Sequence, residues 1–80
     1  MRTMPYSAKI VERIMSADPA MLGVSLGRKC VERQIPVARV CRDLDVSKAT
    51  VYRWFTGKRE VNKHLRTKVQ AYHRAMNTPA

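Results

Sequence analysis

The stretch DLDVSKATVYRWFTGKR, Asp43–Arg59, decides the fold. Ser47 precedes its amphipathic run and Gly57 follows it. That is the usual asymmetry of helix ends: a hydroxyl accepts from an exposed backbone N–H, and a glycine takes the left-handed exit. The spacing predicts a helix over Ser47–Thr56. At about 100° per residue, Val51, Trp54 and Phe55 fall on one side, and Ala49, Tyr52, Arg53 and Thr56 on the other. Lys48 sits in the first turn, with a chain long enough to reach past the helix end. Just upstream, Pro36–Leu44 carries Val37, Val40, Cys41 and Leu44 at i, i+3, i+4 and i+7, a second short amphipathic helix opening at a proline. Only Asp45-Val46 separates the two. So short a link makes a tight turn that sends the chain off at a steep angle. Asp45 is expected in the left-handed conformation, which Asp tolerates, with Val46 plugging the inside of the corner.

Three further segments flank this pair. Ser7–Ala17 carries Ile10, Val11, Ile14 and Met15 on one stripe, with Ser7 as its cap. Asp18-Pro19 is expected to end it and start the next, Asp as N-cap and Pro at the first helical position. That second segment runs to Arg33, with Leu22, Leu26 and Cys30 on one face. Its Gly23 and Gly27 either weaken the helix or admit another backbone at close range. The last segment, Asn62–Met76, is capped by Asn62 and turns Val61, Leu65, Val69, Tyr72 and Met76 inward. No strand periodicity competes. The fold class expected is all-α, with about five helices. Residues 1–20 read as an N-terminal extension with a short amphipathic helix, 21–76 as the helix-turn-helix domain and 77–80 as a frayed tail.

The charge is extreme for 80 residues: 16 Lys and Arg against 6 Asp and Glu, a net +10. It is also uneven. Residues 47–80 hold eight of the basic side chains and Glu60 alone among acids. Such a surface attracts polyanions, of which nucleic acid is the commonest in a cell. There is no apolar run long enough to cross a membrane and no signal-peptide centre, because Lys9, Glu12 and Arg13 interrupt the N-terminal segment. A cytoplasmic location is expected. Cys30, Cys41, His64 and His73 lack metal-ligand spacing, so neither a metal nor a cofactor is expected. No nucleophile, base and orienting group can be assembled by spacing, so the chain is not read as an enzyme.

The outward side of the Ser47–Thr56 helix is small, cationic and rich in donors. Such a helix fits the major groove of double-stranded DNA, about 12 Å wide. Arg53 and Lys48 are the candidates to donate to guanine O6 and N7, and the methyls of Ala49 or Thr50 to touch a thymine methyl. Lys58 and Arg59 follow the helix directly and are assigned to phosphates. Lys63, Arg66 and Lys68 are either a phosphate-tracking rim or a solvated face. Trp54 and Phe55 share the Val51 side and are assigned to the core rather than to base stacking.

PVARVCRDLDVSKATVYRWFTGKR resembles the helix-turn-helix of the Cro/C1-type (XRE-like) repressors of phages and bacteria, over roughly residues 22–76. The matching pattern is Val40, a small residue at Cys41, Leu44, the turn at Asp45, Val46, Ser47, Val51, Trp54 and Gly57. The resemblance implies a lambda-repressor-like fold. It also implies base contacts from Lys48, Ala49, Tyr52 and Arg53, and phosphate contacts near Ser47, Thr50, Thr56 and Lys58. The chain departs from the family at Cys41, usually Ala, and at Asp45, usually Gly. It departs again at Val37, where a polar phosphate anchor often stands; Lys29, Arg39 and Arg42 are the candidates to replace that anchor. The implied function is sequence-specific DNA binding by a small transcriptional regulator. One helix reads few base pairs, so a homodimer on a two-fold site is expected, with Tyr72 and Met76, or Ile10, Ile14 and Met15, as its interface. RNA polymerase is a further candidate partner. Two rival functions stand beside this one: a basic module that grips an acidic host protein such as a polymerase subunit, and a DNA-packaging or architectural factor, akin to the DNA-binding end of a small terminase subunit.

Overall fold

Serine caps, a proline start and three left-handed helix exits divide the chain into short rods. The computed structural model describes residues 6–77. Its five helices are α1 (Ala8–Ser16), α2 (Leu22–Glu32), α3 (Val37–Leu44), α4 (Lys48–Phe55) and α5 (Lys63–Asn77). The domain is all-α, with no strand among the described residues. None of these helices is long and apolar enough to cross a membrane. The expected tail at 77–80 lies largely outside the described residues.

The cap residues act as their chemistry dictates. Ser7 Oγ accepts from the Ile10 N–H (3.3 Å) and Ser47 Oγ from the Thr50 N–H (3.2 Å). Asn62 Oδ1 accepts from the His64 N–H (2.9 Å). Each such cap stabilises its helix by about 1 kcal/mol. The junction of α1 and α2 differs from the sequence expectation. Asp18 does not cap a helix: its Oδ1 accepts from the Ala20 N–H (2.9 Å) and its carbonyl from the Met21 N–H (3.1 Å). The short side chain closes a local turn with Pro19 at its second position, the place proline favours. Helix α2 therefore opens only at Leu22, behind Met21, which supplies no side-chain cap.

One core unites all five helices. Ile14, Leu26, Val40, Val51, Phe55 and Val69 are completely enclosed, and Trp54, Leu44 and Val37 nearly so. Helix α1 is part of this body: Ile14 is 0% exposed, and the preceding Tyr6 packs on Phe55 with ring centroids 6.4 Å apart. The Tyr6 hydroxyl also donates to the Ile35 carbonyl, tying the start of the described chain to the α2–α3 turn. Arg28 closes the far end of α1, donating to the Met15 carbonyl (2.8 Å). A cation at a helix C-terminus also complements the macrodipole.

The most extensive helix pair is α2 on α4, and the two α2 glycines make it possible. A Cβ on Gly23 would lie 2.7 Å from both Trp54 Cβ and Trp54 O, and one on Gly27 2.8 Å from Phe55 Cγ. Of the two sequence readings of these glycines, close approach is the one realised.

Candidate nucleic-acid interface

The site begins at the α3–α4 corner. Asp45 adopts φ 57°, ψ 52°, the left-handed conformation expected of it. The chain then reverses, and both the Asp45 and Val46 N–H groups donate to the Cys41 carbonyl, Val46 at 3.1 Å. Val46 is half-buried and packs against the core. Ser47 then starts α4.

Around α4 the division of sides is clean at the back. Val51, Trp54 and Phe55 are buried. Lys48, Ala49 and Arg53 are exposed, and Arg53 makes no side-chain hydrogen bond or ion pair among the described residues. Thr50 is half-buried, its Oγ1 2.9 Å from Ser47 Oγ. Thr56 is also half-buried and donates back to the Tyr52 carbonyl (2.7 Å). Tyr52 is half-buried too, packed against the core on the flank nearest Tyr6. Burial chiefly, and then the neighbouring Cys30 and Tyr52, push the Tyr6 phenol well above its ordinary range. Burial pushes the Cys30 thiol up to about 12. Both shifts favour the neutral forms of these two groups.

The exit from α4 brings two cations back onto its end. Gly57 has φ 75°, and the Lys58 and Arg59 N–H groups both donate to the Arg53 carbonyl (3.0 and 3.2 Å). Lys58 and Arg59 are exposed beside the last turn of α4. Between α4 and the start of α5 lies an open groove of ≈ 440 Å³. Ser47, Thr50 and Arg53 line one wall, and Arg59, Glu60 and Asn62 the other. On the far wall only Arg59 was expected from the sequence, at a phosphate; Asn62 was assigned only a capping role, and periodicity carries no signal for a wall built by a loop.

The structure thus places Ser47, Thr50, Arg53 and Arg59 on one groove, and Lys48 and Ala49 on the open side of α4. Tyr52 and Thr56 are turned partly inward. Of the three further cations expected to contact phosphate, Lys29 pairs with Glu32 (3.1 Å) and Arg39 with Asp43 (3.8 Å). Arg42 is exposed with no acidic partner among the described residues. Lys68 is exposed, and its Nζ donates to the Leu44 carbonyl (3.3 Å). Among the described residues no three of His, Cys, Asp and Glu come together to hold a metal ion.

The expected self-association surfaces are changed by the fold. Ile14 and Met76 are buried, and the Tyr72 hydroxyl donates to Asp43 Oδ2 (2.6 Å) within the chain. Met15, 45% exposed, is the one exposed large apolar side chain among the described residues.

No family model, curated protein or solved structure matches this chain.

Proposed function

We propose that the protein binds double-stranded DNA, with α4 in the major groove, as a small transcriptional regulator of a phage or bacterium. The observation that carries this reading is the presentation of α4. Its Trp54 and Phe55 are buried, with the Trp54 Cβ and backbone and the Phe55 ring against the glycines of α2, its entry is fixed by a left-handed Asp45, and its free flank is cationic. Lys48, Ala49 and Arg53 are the base-reading side chains, with Tyr52 at the edge of that flank. Ser47, Thr50, Thr56, Lys58 and Arg59 meet the phosphates. The net charge of +10 supplies the long-range attraction. Regulation follows from occluding a promoter, or from touching RNA polymerase beside one, in the cytoplasm where both lie.

Two copies on a two-fold site suit the few base pairs one helix reads. With Ile14 and Met76 committed to the core, we place their association on the DNA rather than in free solution.

Selection of bound duplexes from a random pool tests the reading. The expected product is a consensus of two inverted half-sites about one helical turn apart. A pool that yields no enriched sequence, or no retained duplex at low salt, contradicts it. Affinity for the selected site should fall about a thousandfold between roughly 50 and 200 mM salt if about six phosphates are neutralised.

A further inference from the structure

Helix α5 packs closely on α2 and makes no comparably extensive contact with α3 or α4. Yet two of its side chains cross to the last turn of α3. Lys68 Nζ donates to the Leu44 carbonyl (3.3 Å), and the Tyr72 hydroxyl to Asp43 Oδ2 (2.6 Å). The two residues are four apart, so they share one face of α5. Their targets are consecutive residues, immediately before Asp45, whose φ and ψ set the direction of α4. Arg39 holds the Asp43 carboxylate from the other side at 3.8 Å. The last carbonyls of a helix lack internal partners. Here the Cys41 carbonyl closes the turn through Asp45 and Val46, while that of Leu44 is met from outside by a cation.

We infer that Lys68 and Tyr72 are positioning residues for the DNA-reading helix, a two-point strut from α5 that fixes the angle of the α3–α4 corner. The inference rests on the DNA-binding reading above, and it gives Lys68 a task distinct from neutralising a phosphate. A strut holds the read-out geometry: without it α4 rocks, and good and bad sites become more alike. A phosphate contact instead supports all sequences equally and adds about 0.9 to the salt slope.

The test compares the full chain with Lys68→Met, which keeps the aliphatic stem, and Tyr72→Phe, which removes one oxygen. Each is titrated with its best duplex and with a duplex changed at one base pair, across a range of salt. The strut predicts that the ratio of the two affinities falls about tenfold in the double variant, a sizeable part of what one base contact discriminates. It also predicts an unchanged salt slope. A slope that drops by about 0.9 with the ratio intact makes Lys68 a phosphate ligand and overturns the inference, as does no change in either quantity. Should the double variant not fold, Tyr72→Phe alone carries the comparison. If the wild-type chain retains no duplex, the DNA reading fails on its own. The strut is then read from amide hydrogen exchange at Val46: faster exchange in Tyr72→Phe, with α2 unchanged, supports it, and equal exchange refutes it.

Discussion

The back and the front of α4, a helix of eight residues, differ in almost everything but length. At the back, Trp54 and Phe55 sit against glycines at distances that leave no room for a methyl group. At the front, Ala49 and Arg53 are exposed to water. The back is dry, close-packed and specific in shape, so it determines whether the rod is held. The front contributes little to the fold and is free to serve recognition. A substitution behind α4 should therefore act through stability, and one in front through binding alone.

The largest expected effect lies at the back. Trp54→Ala empties an enclosed site and should cost about 3–5 kcal/mol, enough to threaten a domain this small, as read from urea unfolding. Gly23→Ala fails for the opposite reason. Its Cβ would meet Trp54 backbone and Cβ at 2.7 Å, so α4 itself must move, at about 1–3 kcal/mol. A loss well under 1 kcal/mol in both would mean that α4 is not seated on α2 as described.

At the front, Arg53→Ala should leave unfolding unchanged within about 0.5 kcal/mol. It should weaken the best duplex by about 1–3 kcal/mol and relax one base position. Lys58→Ala should weaken all duplexes alike and lower the salt slope by about 0.9. Unequal losses across sequences for Lys58→Ala would place it among the base readers instead.

Smaller effects are expected at the two corners flanking α3. Gln34 (φ 56°) and Asp45 (φ 57°) both hold left-handed backbone, and the residue after each closes the same loop, Ile35 onto the Cys30 carbonyl and Val46 onto that of Cys41. Gln34→Gly should stabilise by about 1 kcal/mol, and Asp45→Gly by less, because Asp tolerates this region. Destabilisation by either would show that the side chain, not the backbone, matters there.

The smallest expected effect is a dependence on pH. Burial, with Lys29 nearby, lowers the pKa of His73, opposed by its hydrogen bond to Ser25. A lowered folded pKa means that the neutral ring is favoured. Its contribution is present above about 6.5, the unfolded value, and fades as pH falls through the folded pKa. His73→Gln should flatten the stability profile in that acidic window, and an unchanged slope would discount the ring.

The legible part of the molecule is the part in which local chemistry and tertiary packing agree. Ser47, Gly57 and the Val51–Trp54–Phe55 side each carry a residue type suited to one task, so the corner and the buried side of α4 could be read from spacing. Asp45 could be read from its place between two helices with no room for a relaxed link. Gln34 could not, because glutamine carries no left-handed signature and only the packed helices on either side impose that conformation. The Asp18-Pro19 pair misled, since the same side chain that caps helices also closes local turns. The role of α1 was hidden for a different reason: Tyr6 reaches across to Ile35 and Phe55, and such distances in sequence leave no periodic trace. The cross-links of Lys68 and Tyr72 to the corner are hidden likewise, as is the far wall of the groove at Asn62.

Backbone amide NMR shifts, followed while the selected duplex is titrated into the protein at low salt, test whether the front of α4 meets DNA. The expected result is a continuous track of shifts over residues 47–53 and 58–59, with α1 and the C-terminal half of α5 quiet. Shifts gathered on α1 or around Tyr72 and Met76, with Ala49 and Arg53 unmoved, would contradict it.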